Sequence, residues 1–290
     1  MVATVIATGM VTRNDVEAAA ARTRNVVRHT PLTLVESGVF PATVMLKLEQ
    51  LQHAGGYPVR GVFNQVIAGL ERRTFDPDAG LVAAYTPAVA AAVVHVARRL
   101  DLPVTVFAPA SAEANASTTL TVDGTLADAQ LEAERHALAT GGLHCPGLSP
   151  ECWAQMVAGA GTVGLELWTQ TLGQLDTVVV PERATALTAG ITAALASHVR
   201  VVEAVSSPEL CAVARHDLWE ERRIAVDDVA ACAYAYLREG YRPSVGERVA
   251  VVLSSADTAP SLIVRPTSEP TSEVGPTSEP IAPTLSVLSA

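Results

Sequence analysis

The scarcest reactive group in this sequence is the primary amine. Lys and Arg together number 20, of which only Lys47 is lysine and the other 19 are arginine. A side chain that forms an imine with a carbonyl compound must be an amine. Any chemistry that needs a lysine amine therefore has one candidate in the whole chain.

Cysteine and histidine form no recognisable metal or redox motif. The four cysteines are Cys145, Cys152, Cys211 and Cys232. None belongs to a CxxC pair, so neither a zinc site nor a disulfide framework is indicated, and a reducing cytoplasm is the expected location. His95 and His136 have no second ligand three or four residues after them, which favours packed or solvated side chains. We therefore predict no metal site.

Charge and composition limit the classes of partner. The chain has 290 residues, a formal net charge of −10 and 17% charged residues. Nucleic-acid binding depends on clustered Lys and Arg, so nucleic acid is not an expected partner. The uncharged run 79–97 has membrane length, but Tyr85, Thr86 and Pro87 interrupt it. A strand, a turn and a helix explain this run better than a membrane span.

The remaining pattern alternates strands with helices. Thr12 and Asp15 resemble a capping box that starts a first helix over 16–27. The predicted strands are 44–48, 81–84, 104–107, 177–180 and 249–253. The helical periods that follow include 88–100, 126–139 and 184–196. Such alternation predicts an α/β fold with a mainly parallel sheet covered on both faces.

The C-terminal segment differs in composition from the rest. From Pro266 onward it is rich in Pro, Thr, Ser and Glu, and the string PTSEP occurs at 266–270 and at 276–280. A segment of this kind buries too little apolar surface to offset its ordering entropy. We expect residues 263–290 to be a disordered tail.

Short segments spread over about residues 10–258 carry a family resemblance in a fixed order. They are HTPL at 29–32, LKLEQLQ at 46–52, GGYPVRG at 55–61, GLVAA at 80–84, AGAGTVGLE at 158–166, DTVVVP at 176–181 and VVLS at 251–254. Together they resemble the threonine dehydratase and serine racemase family of fold-type II pyridoxal-phosphate (PLP) enzymes. The resemblance implies a two-lobed parallel-sheet core over 1–262, like that of the tryptophan synthase β chain. It also implies a small lobe near 52–143 inserted in the large lobe. The chain between Glu203 and Ser254 is shorter than usual in this family, which indicates a shortened large lobe.

The departures from this family fall at its cofactor positions. Pro58 stands where the resemblance places the Schiff-base lysine, and proline has no amine to form an imine. The segment 85–89, Tyr-Thr-Pro-Ala-Val, replaces a Ser-x-Gly-Asn-His loop. The segment 182–186, Glu-Arg-Ala-Thr-Ala, replaces the glycines whose backbone amides surround the phosphate. We therefore expect no PLP and no other cofactor.

The replaced loops define the candidate site, because ligands of α/β sheets bind beyond the carboxyl ends of the strands. The expected catalytic residues are Glu182, Asp257, Tyr57 and Tyr85, and the expected substrate-binding residues are His53, Arg60, Thr86, Arg183 and Ser254. Burial would raise the pKa of Glu182 and Asp257 toward general-acid duty. The tyrosines could donate hydrogen bonds or fill an abandoned cofactor cavity. Glu182 and Arg183 could instead form an ion pair.

Two hypotheses of different classes follow. The first is a PLP-independent enzyme repurposed from the dehydratase scaffold. It would use acid–base catalysis for an elimination, isomerisation or cyclisation of a small organic molecule in a specialised biosynthetic pathway. The second is a non-catalytic pseudoenzyme that is a partner or regulator of another protein. The resemblance and the apolar composition favour a homodimer in either case.

Overall fold

A computed structural model describes residues 11–36, 38–112, 119–147, 149–182, 184–195 and 198–256. The helices in this part of the chain are α1 (Arg13–Thr23), α2 (Pro58–Arg72), α3 (Pro87–Leu100), α4 (Leu126–Thr140), α5 (Pro150–Gln170), α6 (Thr185–Leu195), α7 (Pro208–Arg222) and α8 (Asp228–Glu239). The strands are β1 (Leu32–Leu34), β2 (Thr43–Lys47), β3 (Leu81–Ala84), β4 (Val104–Pro109), β5 (Thr119–Val122), β6 (Leu143–His144), β7 (Thr177–Pro181), β8 (Arg200–Ala204) and β9 (Arg248–Val252). The expected tail over 263–290 lies outside the described residues.

The strands form two sheets. The larger has the order β1-β2-β9-β7-β8 and is parallel except for β1, which pairs antiparallel with β2. The smaller has the order β5-β4-β3-β6 and is parallel throughout. Strands β2, β7 and β9 are buried along almost their whole length, which is the expected state of parallel strands covered by helices. The α/β class and the two parallel sheets are as predicted.

Local sequence signals located most of these elements. Thr12 and Asp15 form the predicted capping box at the start of α1. The run 79–97 folds as strand β3, a turn and helix α3, as the interruption at 85–87 indicated. In the described part of the chain, no helix has the length and apolar character needed to cross a membrane. Strands β1, β5, β6 and β8 were not predicted, because they lie at the sheet edges, are mostly not buried and lack the continuous apolar run of the central strands.

Glycines allow close helix packing in the larger lobe. A Cβ placed on Gly161 of α5 would lie 2.6 Å from the carbonyl oxygen of Gly190 in α6. A Cβ on Gly190 would lie 2.4 Å from the carbonyl oxygen of Val157. The glycines at 159, 161 and 164 are thus inside a helix and let two backbones approach. Their position inside a helix differs from the strand-to-helix turn of a glycine-rich nucleotide-binding loop.

One expectation about the cysteines was wrong. Cys211 of α7 and Cys232 of α8 form a disulfide, with their Cα atoms 4.7 Å apart and a sequence separation of 21. The pairing depends on how α7 packs against α8, so no local spacing motif predicts it. Cys145 and Cys152 are free thiols.

Candidate functional site

The only lysine is fully engaged by the protein. Lys47 is buried near the end of β2, and its Nζ donates to Glu166 Oε2 at 2.6 Å, to the Thr30 carbonyl at 2.9 Å and to Gln170 Oε1 at 3.0 Å. An ammonium group has three hydrogens, and each of them has an acceptor here. Burial lowers the pKa of Lys47, while Glu166 and Glu49 oppose this by stabilising its charge. Its amine is therefore not available to a ligand.

Arg60, which was predicted to bind substrate, has its side chain bonded within the protein in this structure. The side chain is fully buried. Its Nε and Nη2 donate to the two oxygens of Glu49, both at 2.8 Å, and its Nη1 donates to Glu166 Oε1 at 2.7 Å. The two other N–H groups bond Thr162 Oγ1 and the Arg28 carbonyl, both at 3.1 Å. All five donors are used, and none remains for a substrate.

Lys47, Glu49, Arg60 and Glu166 thus form one charge network between β2, α2 and α5. Burial by itself would lower the pKa of Arg60, but the carboxylates of Glu49 and Glu166 outweigh it and hold the pKa above its ordinary value. Burial would raise the pKa of Glu166, but Arg60 and Lys47 outweigh this and lower it. Each charge is therefore stabilised by its partners in a site where an unpaired charge would be costly. Arg60 and Glu166 lie 106 residues apart in sequence, so spacing could not reveal this pair.

The start of α2 holds the residue at the family's lysine position. Pro58 is buried and is the first residue of α2, where a missing N–H costs nothing and the fixed φ suits the helix. The preceding Tyr57 donates its backbone N–H to the Ser254 carbonyl at 3.1 Å, and Gly56 forms a bridge with Ser255. The structure therefore brings two predicted residues, Tyr57 and Ser254, next to each other. Neither Pro58 nor Lys47 supplies a free amine at this end of the sheet.

Tyr57 keeps its proton in this environment. Burial raises the pKa of its phenol to about 12, because a charged phenolate would lose its hydration. Ser254 is also buried, and its Oγ lies 3.4 Å from Ser255 Oγ. At neutral pH, Tyr57 can therefore donate a hydrogen bond but cannot accept a proton as a base.

The loop after β7 differs from a phosphate-binding loop in two ways. The Glu182 N–H donates to the Ala204 carbonyl at 3.2 Å, and the Ala184 N–H donates to the Pro181 carbonyl at 3.0 Å. These two amides are thus bonded to the protein itself. Side chains replace the glycines, and the Glu182 carboxylate repels an anion. The residues present do not fit an imine-linked cofactor with its phosphate in this loop.

A cavity of about 640 Å³ lies at the carboxyl ends of β7 and β8. Its polar lining residues are Glu182, Ser206 and Asp228, and its apolar ones include Pro181 and Ala204. The Cys211–Cys232 disulfide also borders it. Of the predicted site residues that the structure describes, only Glu182 lines this cavity. Parallel α/β sheets bind their ligands at this end of the strands, so we take it as the candidate site.

Glu182 differs from its prediction in one respect. Its side chain is exposed at the cavity rather than buried as expected. Asp228 is also exposed and pairs with Arg215 at 2.6 Å. Glu182 is therefore the cavity carboxylate for which the structure provides no salt bridge among the described residues.

The second wall of the cavity consists of two helix starts that were not predicted to meet. The start of α7 follows the cap residue Ser207, which accepts the Leu210 N–H at 3.3 Å. The start of α8 follows Asp227, which accepts the Ala230 N–H at 2.8 Å. Both N-terminal turns border the cavity. The Ser-Ser-Pro-Glu and Asp-Asp strings at these positions signal helix starts, but not that the two helices meet at one cavity.

The other predicted residues lie elsewhere. The ring of His53 stacks on that of His95 of α3, with centroids 4.7 Å apart. Burial lowers the pKa of both histidines, and the positive charge of Arg28 adds to this. Tyr85 and Thr86 are half-buried in the turn between β3 and α3, where the Tyr85 N–H bonds the Phe107 carbonyl at 2.7 Å. The predicted Arg183 and Asp257 lie outside the described residues.

Comparisons with known proteins agree with this fold. L-threonine ammonia-lyase of Thermotoga maritima is 30% identical over 200 residues, which are 65% of this chain and 48% of that protein. The chain thus spans about half the length of this curated relative. Maize serine racemase has a TM-score of 0.75 at 18% identity, over 87% of this chain and 95% of that one. Serine racemase from Dictyostelium discoideum has a TM-score of 0.72 at 18% identity, over 86% and 99%.

The structural matches, at these identities, establish the fold alone. The family described as pyridoxal-phosphate dependent enzyme matches residues 23–214, which is more than half of the chain. This match includes β2, the start of α2, β3 and β7, the elements that carry most of the replaced cofactor positions. The chain therefore belongs to the pyridoxal-phosphate dependent enzyme family.

Proposed function

We propose that this chain is a PLP-independent enzyme that uses acid–base chemistry on a small organic molecule in a specialised biosynthetic pathway. The reaction would be an elimination, an isomerisation or a cyclisation. One observation carries the proposal. Glu182 lies in the segment that replaces the glycines of the phosphate-binding loop. Its carboxylate lines a cavity of about 640 Å³ at the carboxyl ends of two strands.

We infer the loss of imine chemistry from the lack of a free lysine amine at the site. Lys47 has its three hydrogens bonded to three protein acceptors. Pro58 begins α2 and has no amine. Moving Lys47 to the cavity would leave Glu166 without one of its two cationic partners in a site where charges need partners.

The roles of the side chains follow from their surroundings. Glu182 is exposed to the cavity and would accept and return a proton. Tyr57, which keeps its proton, and Tyr85 remain proposed hydrogen-bond donors, although neither of them lines the cavity. His53, Thr86, Arg183 and Ser254 remain proposed substrate contacts, and Asp257 remains a proposed second carboxylate. Arg60 leaves this set because its donors are all used within the charge network.

The test of this function compares two glutamate variants. Purified protein is incubated with a metabolite extract of its host, and the metabolites that change are measured by mass spectrometry. We expect a product equal in mass to its substrate, or lighter by one water or one ammonia. Glu182→Gln should reduce turnover by roughly 10²- to 10⁴-fold, the usual contribution of a general acid or base.

Glu220→Gln is the matched control, because Glu220 is an exposed glutamate in the last turn of α7. It should leave turnover unchanged. Equal turnover in wild type and Glu182→Gln would remove Glu182 from the mechanism.

A second experiment addresses the cofactor. PLP is added to the native protein, the mixture is reduced with borohydride, and the peptide with Lys47 is examined for a mass label. We expect no label and no imine absorbance. A stoichiometric label on Lys47 would overturn the PLP-independent mechanism.

The geometry also favours a second candidate function in one respect. Arg60, a predicted substrate-binding side chain, has all its donors bonded within the protein, and of the predicted site residues that the structure describes only Glu182 lines the cavity. A non-catalytic pseudoenzyme that regulates another protein needs no substrate contacts. Purification from the host distinguishes the two: a stoichiometric protein partner, with no metabolite turned over, would favour the pseudoenzyme. The homodimer and the cytoplasmic location remain predictions, which sedimentation and cell fractionation would measure.

A further inference from the structure

The disulfide between Cys211 and Cys232 lies in the wall of the candidate cavity. Cys211 and Cys232 border the cavity together with Glu182 and Asp228. The two cysteines differ in access, because Cys211 is 2% exposed whereas Cys232 keeps part of its surface exposed. A molecule that enters the cavity can therefore reach Cys232 more easily than Cys211.

We propose that the cavity is a thiol–disulfide exchange site, in which Cys232 takes up a small thiol that carries a positive charge. This proposal does not depend on the acid–base function. It uses the same cavity, but its measurements involve no enzymatic turnover.

The exchange step is balanced without another oxidant or reductant. The thiolate sulfur of the small molecule forms a bond to Cys232 Sγ as the bond between Cys232 and Cys211 breaks. The electron pair of the broken bond leaves on Cys211 Sγ, which takes a proton from solvent. The product is a mixed disulfide at Cys232 and a free thiol at Cys211.

The position of Cys211 favours its role as the leaving group. It lies in the first turn of α7, four residues after the cap residue Ser207, and its N–H bonds the Ser207 carbonyl at 3.0 Å. A helix N-terminus stabilises a thiolate, and a stabilised thiolate leaves faster. Attack on Cys232 therefore has the better access, and its leaving group lies near the start of a helix.

The charge of the cavity selects the kind of thiol. Glu182 and Asp228 are carboxylates at its border, and Asp228 has its charge partly balanced by Arg215. A negative lining raises the local concentration of cations and lowers that of anions. We therefore expect a thiol with an ammonium group to react faster than an anionic thiol of similar size.

Exchange would also affect the neighbouring loop. Asp227, which caps α8, donates its backbone N–H to the Ser255 carbonyl at 3.2 Å. Ser255 in turn bridges to Gly56, just before Tyr57. Opening the disulfide would free the start of α8 at a point that contacts this loop.

The test uses two small thiols of opposite charge, cysteamine and 2-mercaptoethanesulfonate. Native full-length protein is mixed with each one, and adducts are quenched by acid and located by peptide mass spectrometry. Rates are divided by the thiolate concentration of each reagent. We expect the adduct on Cys232, formed roughly threefold or more faster with cysteamine. Salt at about 1 M should bring the two rates close together, because it screens the carboxylates.

Glu182→Gln should reduce the charge preference, and Glu220→Gln should not. The salt series on wild-type protein tests the same point without any substitution. The proposal fails if the native protein forms no adduct, if the adduct lies mainly on Cys211, or if the two thiols react equally at low salt. It also fails if the reaction is no faster than global unfolding measured by hydrogen exchange.

Discussion

Two groups of charged side chains differ sharply in their surroundings. The charge network of Lys47, Glu49, Arg60 and Glu166 is buried between β2, α2 and α5, and its two cations have every N–H bonded. At the cavity, Glu182 is exposed, and its N–H rather than its side chain holds it to the neighbouring strand. One group joins elements of the fold, whereas the other faces the solvent.

This difference indicates where chemistry can occur. A side chain with all its donors committed cannot respond to a ligand without breaking buried interactions. An exposed carboxylate can gain or lose a proton at little cost to the fold. Arg60 had the residue type for binding an anion, but its surroundings make it structural.

The largest expected effect is the loss of Arg60. Arg60→Met should lower the free energy of unfolding by about 3–5 kcal/mol, because it leaves buried carboxylates without their partner. Urea denaturation measures this change. Arg72→Met is the matched control in the same helix, because the Arg72–Glu151 pair is largely exposed and should contribute less than about 1 kcal/mol. Equal losses of unfolding free energy in the two variants would contradict the difference drawn between buried and exposed charges.

Removal of the disulfide should have the next largest effect. The double variant Cys211→Ala, Cys232→Ala should lose roughly 2–4 kcal/mol, because the 21-residue separation no longer restricts the unfolded chain. Denaturation without reductant measures it, and Cys152→Ala serves as the control. Wild-type protein treated with a dithiol should then approach the double variant. A double variant as stable as the wild type would show that this link does not hold α7 and α8 together.

A smaller effect is expected from the stacked histidines. His53 and His95 have pKa values below their ordinary value of 6.5, because burial and then the positive charge of Arg28 disfavour their protonation. The unfolded chain thus binds more protons, and their contribution to stability is present above 6.5 and lost as the pH falls through the folded values.

Melting temperatures between about pH 5 and pH 8 measure this dependence. Arg99 of α3 also opposes the protonation of both histidines, and Arg98 opposes that of His95. His95→Gln should reduce the fall in melting temperature at acid pH, whereas His136→Gln on α4 should not. A decrease identical in all three proteins would assign the acid sensitivity to other groups.

The smallest effect on stability is expected at Glu182. Glu182→Gln should change the free energy of unfolding by no more than about 0.5 kcal/mol, since the side chain is exposed. Thermal and urea denaturation measure it beside Arg60→Met. A loss of several kcal/mol would mean that Glu182 is a structural residue like those of the charge network.

The sequence determined the architecture of this protein to a large extent. The strands at 81–84 and 177–180 and the helices near 88–100 and 126–139 follow from apolar periodicity, and the structure has them within a few residues. The capping box at Thr12 was also readable, because it involves residues within one helical turn. The presence of one lysine is a property of composition alone.

Only the tertiary structure decided which side chains meet. Arg60 pairs with Glu166 across 106 residues, and Cys211 pairs with Cys232 between two helices. The sequence placed Glu182 after a strand, but its exposure and its cavity depend on how α7 and α8 pack beside β7 and β8. The physical reason is that periodicity and capping act over a few residues, whereas burial, ion pairing and cavities arise from contacts between distant segments.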